Sequence, residues 1–114
     1  MDTNLYKEIK GLLVNNFREM ERNQIGSILF FGAEEVAELA YLYMQVTNVE
    51  LVGIIDDRYG RDDFLGFKVD DFAWLDQPDW DVVLVTRLDD IERDIRCLIE
   101  KGVSPDKIST LSDM

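Results

Sequence analysis

Hydrophobic and polar residues follow one another along this chain in blocks that predict strands and helices in turn. Nearly continuous apolar runs, typical of strands covered on both faces of a parallel sheet, fall at residues 27–31, 50–55 and 80–86. Shorter runs at 67–69 and 107–111 predict a third strand near a sheet edge and a fifth strand. Since helical patterns separate these runs, the chain is predicted to be an α/β protein with right-handed crossovers.

An amphipathic helix is predicted before the first strand. Asp2–Asn4 offers capping side chains, and Asn23 can end the helix because Asn tolerates the left-handed turn that often follows one. Apolar residues spaced three and four apart form one stripe, made of Leu5, Ile9, Leu12, Leu13, Phe17 and Met20. Residues 1–24 are interpreted as a helix packed on the sheet edge or as a linker from an upstream domain. An exposed stripe would indicate homo-oligomerisation through this helix.

Two more helices follow the first and fourth predicted strands. Residues 33–46 are apolar on nearly every side, which is typical of a buried helix. Acidic residues in its first turns, Glu34, Glu35 and Glu38, either complement the positive end of the helix dipole or help to recognise a ligand. The last helix is predicted to begin near Leu88. Its inner face is predicted to consist of Ile91, Ile95, Leu98 and Ile99. The helix is predicted to end at Lys101–Gly102.

Composition limits the compartment and the chemistry. The 114 residues fit a single domain, 1–114, with enough hydrophobic residues for a core. Cys97 is the only cysteine and histidine is absent, so the sequence offers no disulfide framework, no cysteine-based metal site and no histidine base. No apolar run reaches the roughly 20 residues of a membrane span, and the first residues lack a signal core. A cytoplasmic protein without a membrane span or metal is expected.

The net charge bears on the partners. A formal charge of −12 argues against direct nucleic-acid binding, which depends on basic patches. It also opposes capture of a small anionic ligand, unless local cations offset the field.

The turn after the first strand carries the strongest functional motif. The strand ends at Gly32 and a helix follows at once, an arrangement in which doubly wound proteins hold nucleotide phosphates on free backbone amides. When Gly32 is aligned with the first glycine of G-x-G-x-x-G/A, Glu34 takes the second position and Ala37 the third. Ala37 is an allowed residue, whereas a carboxylate at Glu34 would crowd and repel a pyrophosphate. The motif predicts a nucleotide-binding fold and leaves nucleotide binding by this copy open.

Two further strand ends bring candidate residues to the same crevice. Asp56 lies 24 positions after Gly32, where an acid can bind ribose hydroxyls, although Asp56 and Asp57 also fit a plain turn. After the fourth strand, Thr86 offers a hydroxyl and Arg87 a cation for a phosphate or carboxylate. The candidate cofactor-binding residues are Gly32, Ala33, Glu34, Asp56, Asp57, Thr86 and Arg87.

The predicted fold is a three-layer, Rossmann-like parallel sheet of strand order 3-2-1-4-5 with an extra N-terminal helix. Ligands bind where the winding reverses, between the first and fourth strands. An alternative is that Arg87 neutralises Glu34 across this crevice, so that a protein carboxylate stands where a ligand phosphate would. In that case Glu34→Gly is predicted to raise the affinity for a dinucleotide.

Three stretches carry a family resemblance: FFGAEEVA at 30–37, LVGIIDD at 51–57 and FLGFKV at 64–69. They resemble the N-terminal Rossmann-like domain of bacterial polysaccharide-biosynthesis proteins, which include nucleotide-sugar dehydratases, epimerases and sugar acyltransferases. The pattern covers most of residues 27–111. It is also similar to domains behind winged-helix regulators associated with exopolysaccharide genes, where a helix like Leu5–Met20 leads into the Rossmann-like part.

The resemblance implies binding positions at Gly32, Ala33, Asp56 and Asp57, with Glu34 departing from the glycine that the family often has. The domain binds the sugar nucleotide in the acyltransferases and is a membrane-linked accessory in the dehydratases. Because these relatives differ in ligand, the resemblance does not choose a cofactor, and both NAD(P) and a sugar nucleotide stay open.

Three classes of function follow from these observations. An independent enzyme is the least supported, because the sequence lacks histidine, an activated cysteine and a Tyr-x-x-x-Lys pair. The favoured class is a non-catalytic domain that binds or senses a nucleotide or nucleotide sugar in polysaccharide biosynthesis or its regulation. The alternative is a degenerate Rossmann-like interaction or dimerisation module, indicated by a crevice filled by Glu34, Arg87 and Tyr59.

Overall fold

The structure, a computed structural model, describes residues 3–57, 63–70 and 72–111. Within those residues the chain is an α/β protein with the three predicted α-helices and a six-stranded, mostly parallel sheet. The helices are α1 (Thr3–Arg22), α2 (Glu35–Met44) and α3 (Ile91–Glu100). The strands are β1 (Ser27–Phe31), β2 (Glu50–Ile55), β3 (Asp63–Phe64), β4 (Phe67–Asp70), β5 (Val82–Val85) and β6 (Ile108–Thr110).

The sheet has the order β3-β4-β2-β1-β5-β6. This order differs from the five-strand prediction because β3 adds an antiparallel edge strand beside β4. A two-residue turn joins them, with Leu65 and Gly66 both at positive φ, 55° and 82°. Such a turn matches the twist of a hairpin, but Leu is an unusual residue there, so the sequence gives little sign of it.

Helices cover both faces of the sheet. Successive side chains of a strand point to opposite faces, and in β1 Ile28 and Phe30 pack with α1 and α2, whereas Leu29 and Phe31 pack on the side of α3. A 3₁₀ helix, Ala73–Asp76, also covers the α3 side. No helix within the described parts of the chain combines the length and apolar character needed to cross a membrane.

The apolar stripe of α1 is largely buried in the core. Ile9, Leu13, Phe17 and Met20 pack against central strands of the sheet and against α2. Asn16 also ties α1 to β6, since its amide donates to Thr110 O at 2.9 Å and its oxygen accepts from the Ser109 hydroxyl at 2.8 Å. Homo-oligomerisation through this helix stays a prediction.

Three helix ends differ from the predicted ones. The left-handed residue after α1 is Gln24, with φ 60°, instead of Asn23. Helix α2 begins at Glu35 instead of Ala33, because Glu34 has an extended backbone, with φ −126° and ψ −164°, and is the N-cap. Helix α3 begins at Ile91, after Asp90 has taken a left-handed conformation with φ 50°.

The outer side of α2 is exposed, so the expectation that this helix is buried all round is wrong. Leu42 is 59% exposed and Val46, in the turn after the helix, is 89% exposed. The residues that face the core are Val36, Ala37, Ala40 and Met44. The apolar outer residues therefore lie on the surface of the domain.

Candidate functional site

The predicted crevice lies where β1, β2 and β5 end, and Gly32 is the tightest point in it. Its φ is 127°, and its amide donates to Ile55 O at 2.8 Å. A Cβ at this position would lie 2.5 Å from Thr86 Oγ1 and 2.8 Å from Arg87 Cγ. Glycine is therefore required here for the close approach of the loop after β5, independently of any phosphate.

The Asp56 carboxylate binds the backbone amide of Ala33, where the motif predicts a phosphate. Its Oδ2 accepts the Ala33 N–H at 2.8 Å, and the residue is buried. A carboxylate that accepts a backbone amide makes a strong, charge-assisted hydrogen bond. A protein carboxylate thus stands at this amide, as the alternative interpretation supposed, but it belongs to Asp56 and not to Glu34.

Thr86 joins the loops after β1 and β5. Its hydroxyl lies 3.0 Å from Gly32 O and 3.2 Å from Phe31 O, and the residue is buried. Its backbone amide donates to Phe31 O at 3.0 Å. The hydroxyl that was predicted for a ligand is engaged within the protein.

Arg87 is buried and surrounded by carboxylates. Both terminal nitrogens donate to Asp57 Oδ1 at 3.1 Å, and Nη1 lies 3.7 Å from Asp56 Oδ1. Its Nε lies 3.3 Å from Asp94 Oδ2, and the guanidinium stacks 4.2 Å from the centre of the Phe31 ring.

The predicted pairing of Arg87 with Glu34 is wrong, because the guanidinium turns towards the C-terminal end of β2 and the first turn of α3. Glu34 is exposed instead, as the N-cap residue of α2.

Two members of this arrangement were missed in the sequence. Arg93 donates to Asp57 Oδ2 at 2.9 Å and to Asp94 Oδ1 at 3.1 Å. Asp94 is fully buried, and it falls on the apolar face of α3 between Ile91 and Ile95. A charged residue on a buried stripe needs a partner, and that signal could have identified it. We call these five residues the Arg87 cluster: Asp56, Asp57, Arg87, Arg93 and Asp94.

The cluster is nearly balanced in charge. Three carboxylates and two guanidiniums leave one formal negative charge, which the dipole of the Ala33 amide partly offsets. Burial by itself would raise the pKa of Asp57, but hydrogen bonds from Arg87 and Arg93 outweigh it and hold the pKa below its ordinary value. The Asp57 carboxylate is therefore charged at neutral pH.

Cys97 lies on the same helix as Asp94 and is partly buried. Burial, and then the negative charge of Asp57, raise the pKa of its thiol. The protonated form is the less nucleophilic one, so this cysteine has no activation for covalent chemistry.

A cleft of about 400 Å³ opens beside the cluster at the beginning of α2. It is lined by Glu34, Glu35, Val36, Thr86, Arg87, Leu88 and Asp89. The amides of Glu35 and Val36 belong to the first turn, which has no intrahelical acceptors, and the N-cap makes no side-chain hydrogen bond. The cleft therefore combines first-turn amides of α2 with three carboxylates on its lining.

The structure brings together all seven predicted site residues. Gly32, Ala33 and Glu34 form the turn, and the other four reach it from the ends of β2 and β5. Tyr59, which was predicted to help fill the crevice, lies outside the described residues. Among the residues that are described, no group of three or more His, Cys, Asp and Glu side chains could hold a metal ion.

No protein-family model matches this chain, and no curated protein matches it either.

Proposed function

We propose that this chain is a Rossmann-like interaction module, linked by its resemblance to bacterial polysaccharide biosynthesis or its regulation, in which Asp56 occupies the phosphate site of the fold. The observation that carries the proposal is the buried hydrogen bond from the Ala33 amide to the Asp56 carboxylate, at 2.8 Å. The proposal assigns no catalysis to the site.

The energetics of displacement support this function. A phosphate at the Ala33 amide would have to displace a charge-assisted hydrogen bond, and an unsatisfied buried group costs about 1–3 kcal/mol. The displaced carboxylate of Asp56 would stay beside the incoming anion and repel it. Arg87 offers little compensation, because its charge already meets three carboxylates.

A second candidate is a domain that senses a nucleotide or nucleotide sugar. The observation that favours it is the cleft of about 400 Å³ at the first-turn amides of Glu35 and Val36. A ligand there would contact the amides of Glu35 and Val36 in the first helical turn, instead of the Ala33 amide that directly follows Gly32. The carboxylates of Glu34 and Glu35 would oppose its phosphates.

A thermal-shift screen separates the two functions. The unfolding temperature of the chain is measured with NAD, NADP, adenine nucleotides, coenzyme A and UDP-sugars. A ligand at 100 times its Kd stabilises a protein by about 2.7 kcal/mol. We expect no shift with any of these compounds. A reproducible shift would overturn the interaction module and support sensing.

The variant Asp56→Asn tests whether Asp56 is what keeps phosphates out. It retains an oxygen that can accept the Ala33 amide and removes the negative charge. The matched control is Asp79→Asn, which removes the same charge from an exposed loop residue. We expect a phosphate-containing compound to raise the unfolding temperature of Asp56→Asn and not that of the control. Equal, flat responses would contradict the role of the Asp56 charge in keeping phosphates out of this site.

A further inference from the structure

The outer side of α2 carries a second apolar stripe that the domain covers only in part: Leu39 and Tyr43 are half-buried against the core, and Leu42 and Val46 are exposed. Leu39, Leu42, Tyr43 and Val46 are spaced three, one and three residues apart, which places them on one face. The core-facing residues lie on another side of the helix. Since Leu42 is 59% and Val46 89% exposed, this stripe is the most exposed apolar feature of the helix.

Helix α1 extends the stripe into a continuous patch. The hydroxyls of Tyr6 and Tyr43 are hydrogen-bonded across the two helices, and Lys10 Nζ lies 5.8 Å from the centre of the Tyr43 ring. A groove of about 200 Å³ follows between the helices and is lined by Val14, Phe17, Arg18, Glu21, Tyr43, Val46 and Thr47. We call the part of this surface that is exposed or half-buried the outer patch: Tyr6, Val14, Leu42, Tyr43 and Val46.

We propose that the outer patch is the surface through which two copies of this chain associate. The inference rests on the proposed function as an interaction module and names its partner. A two-fold contact uses the same patch on both copies, so the patch must be complementary to itself.

Charge supplies that complementarity. Helix α2 carries Glu35 and Glu38 and no basic residue, whereas α1 has four basic and three acidic side chains. Of the three helices described, α1 is the only one with a net positive charge. In an antiparallel arrangement, α1 of each copy lies against α2 of the other. The basic side chains of α1 then face the acidic side chains of α2, and Leu42 and Val46 are buried in both copies.

Sedimentation equilibrium of the whole chain tests the proposal. We expect a concentration-dependent dimer between micromolar and millimolar protein, and a rise of at least about tenfold in the dimer Kd for Val46→Glu. The matched control is Ile99→Glu on α3, which adds the same charge at an exposed aliphatic residue, 44% exposed, outside the patch. Circular dichroism verifies that both variants are folded.

Two results would overturn the proposal: a wild-type chain that is monomeric throughout this range, or dimerisation that Ile99→Glu weakens and Val46→Glu does not. Neither depends on the nucleotide screen. A monomer with a flat screen removes the second copy as the partner and leaves the interaction module standing. A ligand shift overturns the module whatever the oligomeric state is.

Spin labels give an independent geometric measurement. With Cys97 replaced by serine, a label is placed at Gln45→Cys, beside the patch, or at Ile99→Cys. The proposal predicts that the distance between the two copies is shorter for labels at 45 than for labels at 99. The reverse order would overturn it.

Discussion

The carboxylate of Asp56 connects two strand ends, because one oxygen accepts the Ala33 amide and the other faces Arg87. An acid at the end of the second strand is also what the ribose-binding motif requires. The two roles are distinguished by where the carboxylate points, which the residue's position in the sequence does not determine.

Glu34→Gly restores the second glycine of the motif, and sequence analysis predicted that it raises dinucleotide affinity. The structure changes our expectation: calorimetry with NAD should detect no gain, because Asp56 still holds the Ala33 amide and Glu34 is already exposed. The double variant Glu34→Gly/Asp56→Asn is the comparison in which a gain is expected. Tighter binding by Glu34→Gly alone would return Glu34 to the role first assigned to it.

Gly32→Ala is expected to lower the free energy of unfolding by at least about 2 kcal/mol, from the strained φ and the clash with Thr86. Urea denaturation followed by circular dichroism measures it. Gly11→Ala is the control, since Gly11 lies in α1 and, apart from the backbone of its own helix, no atom of the described residues lies within 4 Å of the added carbon. That change should stabilise the helix by about 1 kcal/mol. Equal effects of the two changes would contradict this explanation of Gly32.

At the scale of elements, α3 is fixed to the sheet by an ion pair as well as by apolar contacts. Asp94 is fully buried between Arg87, which follows β5, and Arg93 of its own helix. A buried charge that loses its partner is strongly destabilising. The anchoring of α3 therefore depends on a charged residue within its apolar stripe, and the periodicity does not identify the partner of that residue.

Replacing Asp94 by Asn should lower the free energy of unfolding by about 3 kcal/mol, because two guanidiniums lose a buried counter-charge. Hydrogen exchange should become faster in the hydrogen-bonded turns of α3 before it does in β1. Glu92→Gln removes a charge from an exposed position in the same turn and should change the stability by less than about 0.5 kcal/mol. Similar losses in both variants would show that the pairing of Asp94 is unimportant.

The sequence predicted the elements with continuous or periodic patterns and missed those fixed by distant contacts. The runs in β1, β2 and β5 identify buried strands, because parallel strands are covered on both faces. The strand at Asp63–Phe64 is too short to have a pattern, and the pairing of Arg87 with Asp94 depends on how β5 and α3 pack. The exposure of Leu42 was missed for a related reason: an apolar helix is buried only if another element covers it.

At the scale of the whole molecule, the Arg87 cluster links stability to pH. The pKa of Asp57 is lowered in the folded protein. The ionised carboxylate therefore stabilises the fold at pH values above about 3.9, the pKa of an aspartate in the unfolded chain. That contribution is lost as the pH falls through the lower, folded pKa. Acid should therefore destabilise the chain from about pH 4 downwards.

Asp57→Asn should flatten this dependence. Urea denaturation between pH 7 and pH 3 is expected to show a smaller loss of stability in the variant than in the wild-type chain. Because the Asp57 side chain is 21% exposed, we expect the variant to fold. It should differ from the wild-type chain in how steeply the free energy of unfolding falls with decreasing pH. The control Asp79→Asn, at an exposed loop position, should keep the wild-type slope. A variant whose slope equals that of the control would contradict the role of Asp57.

The hydrogen bonds of Asn16 have a mechanical consequence. They join α1, at one end of the described chain, to β6, the edge strand at the other end, across 94 and 93 positions of sequence. Force applied to α1 is transmitted directly to that outermost strand, so the first helix and the last strand shift together.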